Sequence, residues 1–179
     1  MIASLAPPFD TSDRLAKMSL FYHREAKRCA ANRAYLAACI LTGAALEAIL
    51  LSMCYIEDRA VRQTLIHKRK KFKAKRNRFL EFNLFQLIGV AAELEWIPAK
   101  EIQLKGRKTT LQELLHWARL TRNMLHPAVW TKEGGPQRVH KSTYDSVCEV
   151  FDVTREWMVH GVLASLARKM DHETISRRH

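Results

Sequence analysis

The segment from Ala34 to Ile56 constrains the fold of this chain most, because its 23 residues carry a single charged side chain, Glu47. A stretch of this length could span a bilayer. However, a carboxylate at the centre of a membrane helix costs about 2.5 kcal/mol or more. Small residues on different sides of the segment, such as Ala38, Gly43 and Ala48, instead favour close packing on neighbouring helices. We therefore predict that this segment is the central buried helix of a protein that does not span a membrane.

Composition and hydrophobic spacing predict the fold class. With 179 residues, of which 47% are hydrophobic, the chain has the size of one domain. Six Gly and five Pro are too few for a turn-rich β sandwich. Apolar residues recur at helical spacing in four further segments. These segments lie at about 13–32, 83–96, 111–126 and 142–170. Together they predict an all-α fold, an antiparallel bundle of about five helices, with a loop over 100–108 around Gly106.

The same pattern predicts one domain with two flexible ends. Residues 13–170 form the predicted domain, and residues 59–80 form a basic insertion between its second and third helices. Residues 1–12 are predicted to be a flexible arm, because Pro7-Pro8 would block an early helix. The polar residues 171–179 are predicted to be a flexible tail.

The cysteines indicate a reducing compartment. No two of the four are spaced as CxxC, so neither a disulfide framework nor a zinc ribbon is expected. These residues are Cys29, Cys39, Cys54 and Cys148. We predict buried free thiols and a cytoplasmic protein.

The net charge of +12 is concentrated in one run of eleven residues, Lys68–Arg78, which we call the basic run. Its eight basic residues are Lys68, Arg69, Lys70, Lys71, Lys73, Lys75, Arg76 and Arg78. Clustered cations favour polyanionic partners. We predict that these side chains bind an RNA backbone, with Phe72 and Phe79 available for base stacking. The alternatives are a solvated insertion without a partner and an interaction domain that contacts a membrane or an acidic protein.

Residues near the end of the fourth predicted helix indicate phosphodiester chemistry. On a helix, Arg119, Asn123 and His126 share one face, and Arg122 precedes His126 by four residues. Guanidinium groups bind phosphate oxygens through paired hydrogen bonds, and an imidazole can transfer protons near neutral pH. The alternative is structural: Arg119 or Arg122 pairs with Glu47, which needs a partner if it is buried, while His126 only closes the helix.

The motif Arg122-Asn123-x-x-His126-Pro127, together with an upstream helix that contains Glu47, resembles the HEPN superfamily (higher eukaryotes and prokaryotes nucleotide-binding). The resemblance covers roughly residues 13–170 and implies a helical bundle that acts as a metal-independent endoribonuclease of the toxin or phage-defence type. It implies that His126 is the general base on a ribose 2′-hydroxyl or the acid on the leaving oxygen. Arg119 or Arg122 would stabilise the transition state, and Asn123 would orient His126 or the phosphate. Glu47 would have a structural role and hold these residues in position.

The resemblance also implies partners. Two motifs would meet across the twofold axis of a homodimer. The reaction would need no cofactor or metal, and its product would carry a 2′,3′-cyclic phosphate. RNA is the expected substrate, a cognate antitoxin or nucleotidyltransferase is an expected partner, and no membrane is involved. The alternative function is a non-catalytic HEPN-like module that binds RNA or a nucleotide, or that serves as a partner subunit.

Overall fold

The computed structural model describes residues 8–71, 78–99, 101–104, 107–123 and 139–176. This part of the chain is mostly helical, which confirms the predicted all-α character. The α-helices are α1 Pro8–Ala31, α2 Tyr35–Ile56, α3 Asp58–Gln63, α4 Leu65–Arg69, α5 Leu84–Glu93, α6 Leu111–Asn123 and α7 Lys141–Ser176. A short 3₁₀ helix covers Arg78–Glu81, and two strands, β1 Glu101–Leu104 and β2 Arg107–Thr110, form an antiparallel pair.

Helix α2 is the centre of the structure, as predicted, and it contacts α1, α5, α6 and α7. By length and composition it could cross a membrane, but 61% of its most apolar window is buried inside the protein. Two hydroxyl groups fix α1 along it. Ser19 Oγ donates to the backbone oxygen of Ala45, and Ser52 Oγ donates to that of Ser12, both at 2.8 Å. The two serine hydroxyl groups buried between α1 and α2 are therefore hydrogen-bonded.

The start of α6 is fixed by a reciprocal cap. The hydroxyl of Thr110 accepts the Glu113 N–H at 3.2 Å, and Glu113 Oε2 accepts the Thr110 N–H at 3.0 Å. These hydrogen bonds lower the pKa of Glu113. The cap fixes where α6 begins, and it thereby sets where each later α6 side chain points.

Residues 101–110 correct the predicted loop. Glu101 lies opposite Thr110 and Ile102 opposite Thr109 in the β1–β2 pair, and Ile102 packs against the core. Each strand has only four residues, which is too short for alternation to be recognised in the sequence. Gly106 lies outside the described residues.

Both predicted flexible ends are partly helical. Helix α1 begins at Pro8, because a proline is well tolerated in the first turn of a helix, where its missing N–H has no partner to lose. The predicted arm over 1–12 is therefore wrong from residue 8 onward. Helix α7 continues to Ser176, through most of the predicted tail over 171–179.

The described parts of the predicted basic insertion, residues 59–71 and 78–80, are built into the fold. Val61 of α3 is fully buried, and Thr64 Oγ1 accepts the His67 N–H at 3.1 Å to cap α4. The Leu65 N–H donates to Glu93 Oε1 at 2.7 Å, which ties α4 to the end of α5. The charges of the basic run therefore begin on a segment that is held in place.

Candidate functional site

Helix α6 carries three of the four predicted catalytic residues within the described part of the chain. Arg119, Arg122 and Asn123 are half-buried near its end. His126 lies outside the described residues, as do Pro127 and the rest of 124–138. The structure therefore gives the geometry of the two arginines and the helix that presents them.

Arg122 pairs with Glu47 across the contact between α6 and α2. Its Nη2 lies 2.8 Å from Glu47 Oε2, with the side chains 30% and 22% exposed. Gly43 lies one turn before Glu47, and a Cβ built on it would be 2.9 Å from Arg122 Cβ and 3.0 Å from Arg122 Cδ. The stem of Arg122 thus lies directly against the α2 backbone. The structural alternative for this arginine is confirmed, and Glu47 is the residue that holds it.

Arg119 has a different environment. Its Cζ lies 5.4 Å from the centre of the Phe85 ring, within the range of a cation–π interaction. Its Nε is buried and has no hydrogen-bond partner. Among the described residues, no carboxylate forms an ion pair with Arg119. Unsatisfied buried polar groups are uncommon in folded proteins, and a ligand that would supply the missing partner is one explanation for them.

His116 packs against the same ring. The imidazole and Phe85 ring centres are 5.2 Å apart, and His116 Nδ1 is buried without a hydrogen-bond partner. Burial, and then the charge of Arg119, lower the pKa of His116. Phe85 is itself 56% exposed. An open aromatic ring is therefore flanked by a guanidinium and a neutral imidazole.

A cavity of about 320 Å³ opens beside Phe85 and joins α6 to the basic run. Its lining residues are Ile66, Arg69, Lys70, Phe85, Gln86, Gly89, Gln112 and His116. Lys70 is fixed in this wall, since its Nζ donates to Gln86 Oε1 at 2.9 Å and to the backbone oxygen of Glu81. The start of the basic run and helix α6 thus meet at one site, which the sequence did not reveal.

The residues of the basic run that the structure describes differ in exposure. Lys68, Arg69 and Lys71 are exposed, whereas Lys70 and Arg78 are half-buried. Three predicted RNA-binding residues lie outside the described residues: Lys73, Lys75 and Arg76.

The prediction that Phe79 is available for stacking is wrong. Phe79 is 3% exposed, and its ring lies 5.3 Å from that of Tyr55 and 6.2 Å from that of Phe82. The 3₁₀ helix turns this side chain into the core. Phe72 lies outside the described residues. Phe85, which the sequence did not single out, is 56% exposed, and its apolar sequence neighbours gave no signal of this exposure.

One further cluster could hold a metal ion. Ligand atoms of His23, Cys148 and Asp152 all lie within 4.8 Å of one another. His23 Nε2 is 3.7 Å from Asp152 Oδ1. The sequence predicted no metal, because only the tertiary structure brings α1 to these two α7 residues. None of the motif residues takes part.

Stability should depend on pH through three buried or half-buried histidines. Burial is the largest cause of a lowered pKa at His23, His67 and His116. Each folded pKa lies below the unfolded value near 6.5, so the unfolded chain binds more protons. The free energy of unfolding should therefore be highest above about pH 6.5 and fall as the pH drops through the folded pKa values. Urea unfolding from pH 8 to 5 measures this slope, which should be shallower in His116→Gln. A protein more stable at pH 5 would contradict it.

The chain matches no protein-family model, no curated protein and no solved structure. Its function is therefore inferred from the residues that the fold brings together.

Proposed function

We propose that this protein is a HEPN-like, metal-independent endoribonuclease of the toxin or phage-defence type. The different environments of its two motif arginines carry the proposal. Arg122 is held by Glu47, whereas Arg119, on the same helix, is paired with no carboxylate in the described residues and lies beside an exposed ring. One arginine fixes the helix and the other is available to a phosphate.

The proposed reaction is an internal transfer on RNA. His126 takes the proton of a ribose 2′-hydroxyl, and the 2′-oxygen attacks the adjacent phosphorus. The bond to the 5′-oxygen breaks, this oxygen takes up a proton, and a 2′,3′-cyclic phosphate remains. Arg119 neutralises the charge that develops on the phosphate oxygens, and Asn123 orients His126 or the phosphate. Arg122 acts as a positioning residue, through its contact with α2.

The surface next to α6 supports an RNA substrate. Lys68, Arg69 and Lys71 are exposed at the start of the basic run, and Arg69 lines the cavity that reaches His116. Basic side chains on this surface would displace counterions that are condensed on the RNA backbone, so the affinity for RNA should fall steeply as salt rises.

A second copy of the chain is the proposed partner at the motif. Trp117 and Leu120 of α6 are 37% and 55% exposed and flank Arg119 in sequence. Residues three apart on a helix are neighbours on its surface, and adjacent exposed apolar side chains of this size favour a protein contact. A twofold dimer through α6 would bring two motifs together. A cognate antitoxin or nucleotidyltransferase and a cytoplasmic location belong to the same proposal.

A cleavage assay on total cellular RNA in EDTA tests the function. We expect cleavage that leaves 2′,3′-cyclic phosphate ends, and a dimer in sedimentation analysis. His126→Ala, purified in parallel, is the control for contaminating nuclease and should be silent. RNA that is bound but left intact by the native protein would overturn the ribonuclease and favour the non-catalytic module. Cleavage that persists in His126→Ala would overturn the mechanism.

A further inference from the structure

Phe85 presents an aromatic surface that packing does not explain. The ring is more than half exposed, although α5 buries its neighbours Leu84 and Leu87. On its helix Phe85 could be replaced by a polar residue without loss of core. Contacts with Arg119 and His116 fix the orientation of the ring and still leave 56% of the side chain exposed, so part of it is open to a stacking partner.

The cavity beside the ring has the size and charge of a nucleotide site. Its volume of about 320 Å³ lies at the lower end of the range for small-molecule sites, about 300–1,000 Å³. Arg69 and Lys70 line it, and its described lining contains no carboxylate. The positive charge of this lining is not neutralised by an acidic side chain in the cavity, so it favours an anionic ligand.

Amide groups complete the lining. The exposed Gln112 offers both a donor and an acceptor, which suits the edge of any nucleobase. Gln86 is already engaged, since its Oε1 accepts from Lys70 Nζ at 2.9 Å and from the Asn83 N–H at 3.1 Å. The Gln112 amide and the Phe85 ring can each contact one base, so the cavity fits a single nucleobase better than several nucleotides of RNA.

We propose that this cavity binds one nucleobase of single-stranded RNA, stacked on Phe85, with the adjoining phosphate on Arg69. The inference rests on the proposed function, because it specifies that the RNA substrate of the same site is single-stranded. A base bound in this cavity would place the RNA backbone near Arg119. Stacking is tolerant of base identity, so the site would select unpaired RNA and not a sequence.

Binding of a short 2′-O-methyl oligoadenylate tests the inference, since this probe has no free 2′-hydroxyl and survives the assay. Phe85→Ala should weaken binding about tenfold or more. Phe85→Trp should keep the affinity within about twofold, because it retains a ring. Leu65→Ala is the matched control, because Leu65 is 54% exposed and does not line the cavity, and it should change nothing.

An abasic oligomer of the same length separates stacking from charge. Its affinity should be insensitive to Phe85→Ala, whereas Arg69→Gln should weaken binding of both probes. Equal affinity of the native protein and Phe85→Ala for the oligoadenylate would overturn the inference, and RNA cleavage by the same preparation would leave the ribonuclease standing. Base-dependent binding that is lost in Phe85→Ala, without cleavage of natural RNA, would support the base site and overturn the ribonuclease.

Discussion

Replacement of Arg119 with alanine should lower the rate of RNA cleavage by about 10²–10³-fold, while the free energy of unfolding changes by about 1 kcal/mol or less. The reason is that Arg119 makes a cation–π contact with Phe85 but no ion pair with a carboxylate in the described part of the chain. Its charge is therefore free to act on the transition state. Single-turnover cleavage and urea unfolding measure the two effects.

Arg122→Ala is the matched variant, three residues away on the same helix. It should lower the free energy of unfolding by about 1–3 kcal/mol, because Glu47 would keep a half-buried carboxylate without its partner. Glu47→Gln combined with Arg122→Ala should cost less than the sum of the single changes. A stable but inactive Arg122→Ala, beside an active Arg119→Ala, would reverse the assigned roles.

Gly43→Ala should lower the free energy of unfolding by about 1–2 kcal/mol and reduce cleavage as well. The added Cβ would meet three atoms of the Arg122 side chain at 2.9–3.1 Å, including Arg122 Cβ, which cannot move without moving α6. This overlap should outweigh the helical preference for alanine over glycine, which is about 0.5–1 kcal/mol. Urea unfolding and the RNA assay measure the two outcomes.

Gly161→Ala provides the control for this prediction. Gly161 lies in α7, and a Cβ there would meet nothing within 4 Å. The same substitution should therefore stabilise the protein by about 0.5–1 kcal/mol. If Gly43→Ala were stabilising to the same degree, the close contact between Arg122 and α2 would be contradicted.

The sequence was sufficient to predict the buried helix around Glu47 and the need of that carboxylate for a cationic partner. It left open whether Arg119 or Arg122 meets it, because both lie on nearly the same part of α6. The structure shows that Arg122 is the partner, with its stem packed against Gly43 one turn before Glu47. That contact joins residues far apart in the chain and leaves no local pattern to recognise.

The exposure of two aromatic residues could not be predicted from the sequence either. Phe79 sits in a basic segment and was predicted to be exposed, yet it is buried between Tyr55 and Phe82. Phe85 follows an apolar residue in a hydrophobic helix and is exposed. Local charge and hydropathy were misleading at both positions, because burial was decided by where the 3₁₀ helix and α5 pack.

The pairing of Glu47 with Arg122 also has a consequence for synthesis of the chain. Arg122 lies 75 residues after Glu47 in the chain, so it is synthesised well after the carboxylate that it pairs with. At about 5–20 residues per second this stretch takes roughly 4–15 s. During that interval a long apolar helix carries an uncompensated carboxylate and lacks its cover of α5, α6 and α7. The nascent chain is thus most exposed to aggregation and to chaperones before α6 has been made.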